Sequence, residues 1–115
     1  MSFSEFELKK HEKELNSFID EIRPPVHIRK ELDYGYRIDK QSILLIEFRP
    51  DWQDPNKIVE SHFAKATYIK TQKVWKIYWQ RQDLKFHKYE PVSQVKHLSG
   101  FLKTVKEDEF CCFFG

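Results

Sequence analysis

Three glycines in 115 residues are too few for a sandwich or barrel built on many tight turns. The two cysteines, Cys111 and Cys112, are adjacent, and vicinal cysteines bridge each other only through strained backbone geometry. No disulfide framework is therefore expected, which fits a reducing cytosol. No apolar run reaches the roughly 18 residues that a membrane-crossing helix needs. The opening MSFSEFELKKHEKE is charged from Glu5 onward, unlike a secretory signal. These absences predict a soluble, cytoplasmic protein without a membrane partner. No G-x-S-x-G, P-loop or G-x-G-x-x-G is present. His11, His27, His62, His87 and His97 include no pair at metal-ligand spacing, and there is no C-x-x-C. Neither a metal site nor a cofactor is expected.

Aromatic residues, in contrast, make up 16% of the chain, with ten Phe, five Tyr and three Trp. They supply much buried area from few side chains. A chain of this length is expected to form one domain, residues 1–115, with a real core despite 33% charged residues. The net charge of +2 implies no polyanion partner by itself. Its distribution is uneven: residues 1–22 carry three lysines against six acids, whereas residues 60–90 carry seven bases against three acids. The positive charge concentrates where the aromatics do.

The chain opens with a helix that marks its own start. Ser4 and Glu7 fit an S-x-x-E capping box, and Phe3 and Leu8 fit a hydrophobic staple. Leu8, Leu15, Phe18, Ile19 and Ile22 follow at helical spacing until Pro24 and Pro25 stop the element. Residues 26–32 fit a strand or a short helical turn. Tyr34, Tyr36 and Ile38 alternate with polar residues, Asp39 to Gln41 interrupt, and Ile43 to Phe48 run apolar, which predicts a β-hairpin with a central second arm. After the loop at 49–57, strands are predicted at about 63–70, 74–81 and 84–89. A second amphipathic helix is marked by Val95, Leu98, Phe101, Leu102 and Val105, with Ser93 as its cap. FCCFFG closes the chain as a last strand or a tail packed on the core, its cysteines serving as small core residues. The expected fold class is α+β: an antiparallel sheet of four to five strands with an N-terminal and a C-terminal helix packed on it.

The stretch VWKIYWQRQDLKFHKY, residues 74–89, interleaves Trp75, Tyr78, Trp79, Phe86, His87 and Tyr89 with Lys76, Arg81, Lys85 and Lys88. Aromatic faces stack bases and cations hold phosphates, so this composition suits nucleic acid. It equally suits the packing of a twisted hairpin. Strand alternation puts Trp75, Ile77 and Trp79 on one face, where Ile77 reads as core, and Lys76 and Tyr78 on the other. The candidate binding residues are Tyr68, Trp75, Lys76, Tyr78, Trp79, Arg81, Lys85, His87 and Lys88. No catalytic residue is assigned. The enzyme alternative is a metal-dependent nuclease using Glu47, Asp83 and Lys85, because D-x-K on a strand places acid and amine on one face. Arg23 and Arg49, each before a proline, read as caps on main-chain carbonyls at chain reversals. Apolar residues on both sheet faces and the FCCFF end make a homodimer the other candidate assembly.

RPPVHIRKELDYGYRID, SILLIEFRPDW, AKATYIKTQKVWKIYWQRQDLKFHKYEPV and the closing CCFFG together resemble a family of short bacterial proteins described as a domain of unknown function. The resemblance runs from about Arg23 to Gly115 and implies a stand-alone bacterial protein. It carries over no catalytic residue, cofactor or ligand. The expected function is thus a non-enzymatic binding or interaction module that uses an aromatic and basic sheet face, with nucleic acid or another protein as its partner.

Overall fold

Helix α1, Glu5–Ile22, begins as its residues dictate. A computed structural model of the chain describes residues 3–108 and Phe113. In it the Ser4 hydroxyl accepts the Glu7 N–H at 3.2 Å, and the Glu7 carboxylate accepts the Ser4 N–H at 3.0 Å. Phe3 is buried against Trp75, and the helix buries Leu15, Phe18 and Ile19. The Arg23 N–H closes the last turn on the Ile19 carbonyl at 2.8 Å, and the two prolines lead away. The ambiguous stretch that follows contains a 3-10 turn, Val26–Ile28.

Among the described residues the sheet has six antiparallel strands: β1 Asp33–Asp39, β2 Ser42–Pro50, β3 Ile58–Ile69, β4 Val74–Gln80, β5 Phe86–Lys88 and β6 Gln94–Val95. The first five form a meander in chain order, and β6 pairs with β4. The two last strands share one edge of β4. β5 lies along Tyr78 to Gln80 and β6 along Trp75 and Lys76. Between them Tyr89 donates to the Ile77 carbonyl and Ile77 donates to the Ser93 carbonyl, both at 3.0 Å. A 3-10 turn, Glu90–Val92 with Pro91 inside it, leaves the edge and returns, because proline cannot donate to the ladder.

Helix α2, Leu98–Glu107, buries Leu98, Phe101, Leu102 and Val105. It starts later than Ser93, since Val95 is held in the sheet opposite Trp75. Gly100 lets the helix lie against that strand: a Cβ there would sit 3.1 Å from the Val95 Cβ. β3 begins at Ile58, earlier than expected, and β5 is short because Asp83 to Lys85 belong to the turn before it. Asp108 ends α2 in the left-handed region and its carboxylate accepts the Phe113 N–H at 2.9 Å. The Phe113 ring is buried 4.8 Å from the Tyr89 ring. Cys111 and Cys112, with the rest of the expected apolar end, lie outside the described residues.

Register assigns the faces. Directly paired residues share a face, so Tyr36, Leu45, Ala64 and Trp79 point to one side, as do Ile38, Ile43, Ala66 and Ile77. Both helices pack on this inner face around one core cluster. An extra residue in β3 interrupts the pairing with β2 between Leu45 and Ile46, so that both Phe63 and Ala64 are buried. The other side carries Leu44, Ile46, Phe48, Lys65, Thr67, Lys76, Tyr78, Gln80, Phe86 and Lys88. None of these belongs to the cluster beneath the helices, although Ile46 is itself buried.

The two arginines before prolines bind carboxylates, not main-chain carbonyls. Arg23 donates from Nε and Nη2 to the two Asp33 oxygens, each at 2.8 Å, which ties the end of α1 to the start of β1. Arg49 pairs with Glu47 two residues away. Charge-assisted, bidentate bonds outcompete a neutral carbonyl acceptor. The Arg23 guanidinium, helped by the Tyr34 N–H, holds the Asp33 carboxyl below its ordinary range. A depressed folded-state value means that this contribution is present above the unfolded carboxylate pKa, around pH 4, and is lost as pH falls through the folded value. Asp33→Asn is therefore expected to lower the melting temperature at neutral pH. The deficit relative to the parent should shrink below about pH 4. Melting curves across that range check it, and a constant deficit would contradict it.

Candidate binding face of the sheet

The predicted binding residues do not converge on one surface. Trp75 is only 3% exposed and belongs to the core, with the Phe3, His11 and Tyr68 rings at 5.6, 5.2 and 5.1 Å. It is not available to stack on a ligand. Tyr68 shares its face and partly covers it. Trp79 also faces the helices, half-buried at the sheet margin, with the Arg81 guanidinium 5.5 Å from its ring. His87 is paired with Trp79, and its Nε2 lies 2.9 Å from the Asp83 carboxylate. Lys85 and Arg81 lie in the exposed turn, closed by the Arg81 N–H on the Lys85 carbonyl at 3.1 Å.

Lys76, Tyr78 and Lys88 occupy the opposite, helix-free face. Tyr78 pairs with Lys65 on one side and Lys88 on the other, and Lys76 lies opposite Thr67. Two further residues complete this surface. The Lys65 ammonium sits 5.8 Å from the Tyr78 ring centre and 5.4 Å from that of Phe86. Lys65 was legible in AKAT, where small Ala64 and Ala66 face the helices and the lysine between them must face out. On the described part of this face from Ala64 to Lys88, register places three lysines and no carboxylate. The half nearer β1 differs, since Glu60 is paired there with Arg37 at 3.1 Å. Where β5 leaves the β4 edge, a hollow of about 150 Å³ opens, lined by Lys76, Ile77, Tyr78, Lys88, Ser93 and Gln94. Among the described residues, ammonium groups, aromatic rings, a hydroxyl and a side-chain amide thus meet on one open surface.

The nuclease alternative loses its strand geometry. Asp83 and Lys85 lie in a turn, so the same-face argument for a strand does not apply. The Asp83 carboxylate accepts the Lys85 N–H at 2.9 Å and contacts His87, and both lower its pKa. Glu47 is paired with Arg49. Among the described residues no three histidine, cysteine or acidic side chains are placed to hold a metal ion. No described helix is long and apolar enough to cross a membrane.

Neither a curated protein nor a solved structure matches the chain. A family model does, over residues 3–115, and it extends the likeness of the later motifs to the N-terminal helix. The chain belongs to the family described as a domain of unknown function, DUF3024.

Proposed function

We propose that this protein is a non-enzymatic binding module whose ligand is single-stranded nucleic acid, held on the helix-free face of the sheet. The observation that carries the proposal is the placement of Tyr78 and Phe86 beside the Lys65 ammonium, with Lys76 and Lys88 flanking them. Aromatic rings on an open sheet stack bases irrespective of sequence, and ammonium groups follow the backbone phosphates. A flat sheet face suits splayed-out bases better than the interior of a duplex. Ser93 and Gln94, at the hollow beside Tyr78, supply the donors and acceptors for a preference among bases. Anisotropy titrations of labelled single-stranded and duplex oligonucleotides test the proposal at two salt concentrations. Tighter, salt-sensitive binding of the single strands is expected, and no binding at low salt would reject it.

A second reading concerns a second copy of the chain. β2 and β3 run past the start of β1; the connection between them exposes Trp52 at 87%, and the start of β3 exposes Ile58 at 59% and Val59 at 48%. β4 covers β3 only from Ala64 onward, so the β3 edge at residues 58–63 has no strand beside it among the described residues. An uncovered edge with apolar side chains is a template for strand pairing. If two copies pair there, sedimentation at micromolar concentration shows a species heavier than 14.0 kDa that Val59→Lys converts to monomer. A 14.0 kDa species alone would reject this reading.

A further inference from the structure

A second cavity lies on the helix side of the sheet and owes nothing to the proposed nucleic-acid face. Its volume is about 460 Å³, and three separate parts of the chain build it. One side of α1 contributes residues at helical spacing, among them Lys10 and His11. The end of the β3–β4 hairpin contributes Tyr68, Lys73 and Trp75. The junction between β6 and α2 contributes Lys96 and His97. Three lysines from three elements therefore border one cavity. Two carboxylates border it as well. The Glu7 carboxylate, which also accepts the Ser4 N–H in the capping box, and Glu14 both oppose the three ammonium groups.

Tyr68 and Trp75 line the cavity beside His11. The His11 ring stands edge-on to Trp75 at 5.2 Å and to Phe3 at 4.7 Å. Among the described residues, His11 Nδ1 is buried without a hydrogen-bond partner. A buried polar atom without a partner carries a free-energy cost. His97 stands at the N-cap of α2, yet its side chain makes no capping bond. Phe6 lies at the rim with 79% of its surface exposed. A full turn of helix thus presents a bare ring beside cationic groups.

We propose that this cavity binds an organic phosphate monoester carrying a flat ring. The phosphate is held by Lys10, Lys73 and Lys96, and the ring lies against Phe6 and Tyr68 beside His11. Three lysines against two carboxylates leave the border net positive, which suits a phosphate, and the aromatic walls match the flat body. Burial lowers the His11 pKa, so the imidazole is neutral at neutral pH in the free protein and keeps one nitrogen as an acceptor and the other as a donor. The groups facing it set its response. Glu7, Lys10 and Glu14 lie on its own helix, with Tyr68, Lys73 and Trp75 across the cavity and Lys96 and His97 at the α2 end. A dianion among them raises the His11 pKa.

Phenyl phosphate is the probe. Imidazole resonances of the full chain are followed through its addition, with inorganic phosphate and phenol as separate arms. The expected result is a saturable shift of His11 and His97 and an upward move of the His11 titration, weaker for inorganic phosphate and absent for phenol. Lys73→Ala/Lys96→Ala, both at exposed positions, should weaken phenyl phosphate at least about tenfold while the melting temperature stays unchanged. Lys76→Ala, on the opposite face, should have no effect. An absence of saturable shifts overturns the proposal. So does a response equal for phenol and phenyl phosphate, or one that the double variant leaves intact.

Discussion

Replacing Tyr78 and Phe86 together by alanine is expected to weaken binding of single-stranded oligonucleotides by about a hundredfold or more, since each base stacked on a ring contributes about 1–3 kcal/mol. The fold should survive. Both rings are half-buried on the face without helices and lie outside the core cluster. The lysines beside them act differently. Lys65→Ala/Lys76→Ala/Lys88→Ala removes three cations from that face. For single strands the salt slope falls by about 0.7 per phosphate contact, so the plot of log affinity against log salt should flatten by about 2. Aromatic loss thus lowers affinity at every salt concentration, and lysine loss lowers it most at low salt. Anisotropy titrations of both variants over a salt series separate the two. If affinity falls without flattening in the lysine variant, the ammonium groups do not meet phosphates.

Trp75→Ala is expected to act on stability, by about 3–5 kcal/mol, the range for removing a large aromatic side chain from a core. Trp75 is 3% exposed and joins three parts of the structure: Phe3 before α1, His11 on α1 and Tyr68 on β3, with Val95 opposite it on β6. A domain of ordinary stability, about 5–15 kcal/mol, would lose much of its margin. Tyr78→Ala, three residues on, should cost far less, because it leaves no cavity in the core. Urea denaturation of the two variants measures the contrast. Equal losses would contradict the division of the hairpin into a core face and an open face. The comparison bears on function too, since a binding defect in Trp75→Ala would report unfolding.

Much of this architecture could be read from local residue chemistry. The Ser4–Glu7 box, the prolines after α1 and the polar break at Asp39 to Gln41 are short-range signals, and each lies where the structure has it. Apolarity on both faces of Ile43 to Phe48 marked a strand flanked by two others, which β2 is. Signals failed where a distant partner decides the conformation. β6 has two residues and no period of its own, and exists because Trp75 and Lys76 present an unpaired edge. The same pairing delays α2 past Ser93, overriding a good cap residue. The added residue at Phe63 in β3 follows from pairing with β2, which no local pattern announces.

The candidate site was half legible for the same reason. Alternation correctly separated Lys76 and Tyr78 from Trp75 and Trp79, because side-chain direction along a strand is a local property. Grouping all the aromatics and cations of residues 74–89 as one surface ignored that separation. Which face the helices cover depends on α1 and α2, and this is what assigns Trp75 to the core and leaves Tyr78 open. The sequence marks His11 only as one of five histidines without metal-ligand spacing. Its contact with Trp75 depends on how α1 crosses the sheet, so the cavity beside it has no signature in sequence spacing.

The most direct test of the nucleic-acid face is a map of amide chemical shifts on adding a single-stranded oligonucleotide of about eight nucleotides at low salt, a length within the span of one small binding fold. The account predicts shifts concentrated at Lys65, Thr67, Lys76, Tyr78, Gln80, Phe86 and Lys88, with α1 and α2 little changed. Shifts confined to the helix side, or none at all, would contradict it.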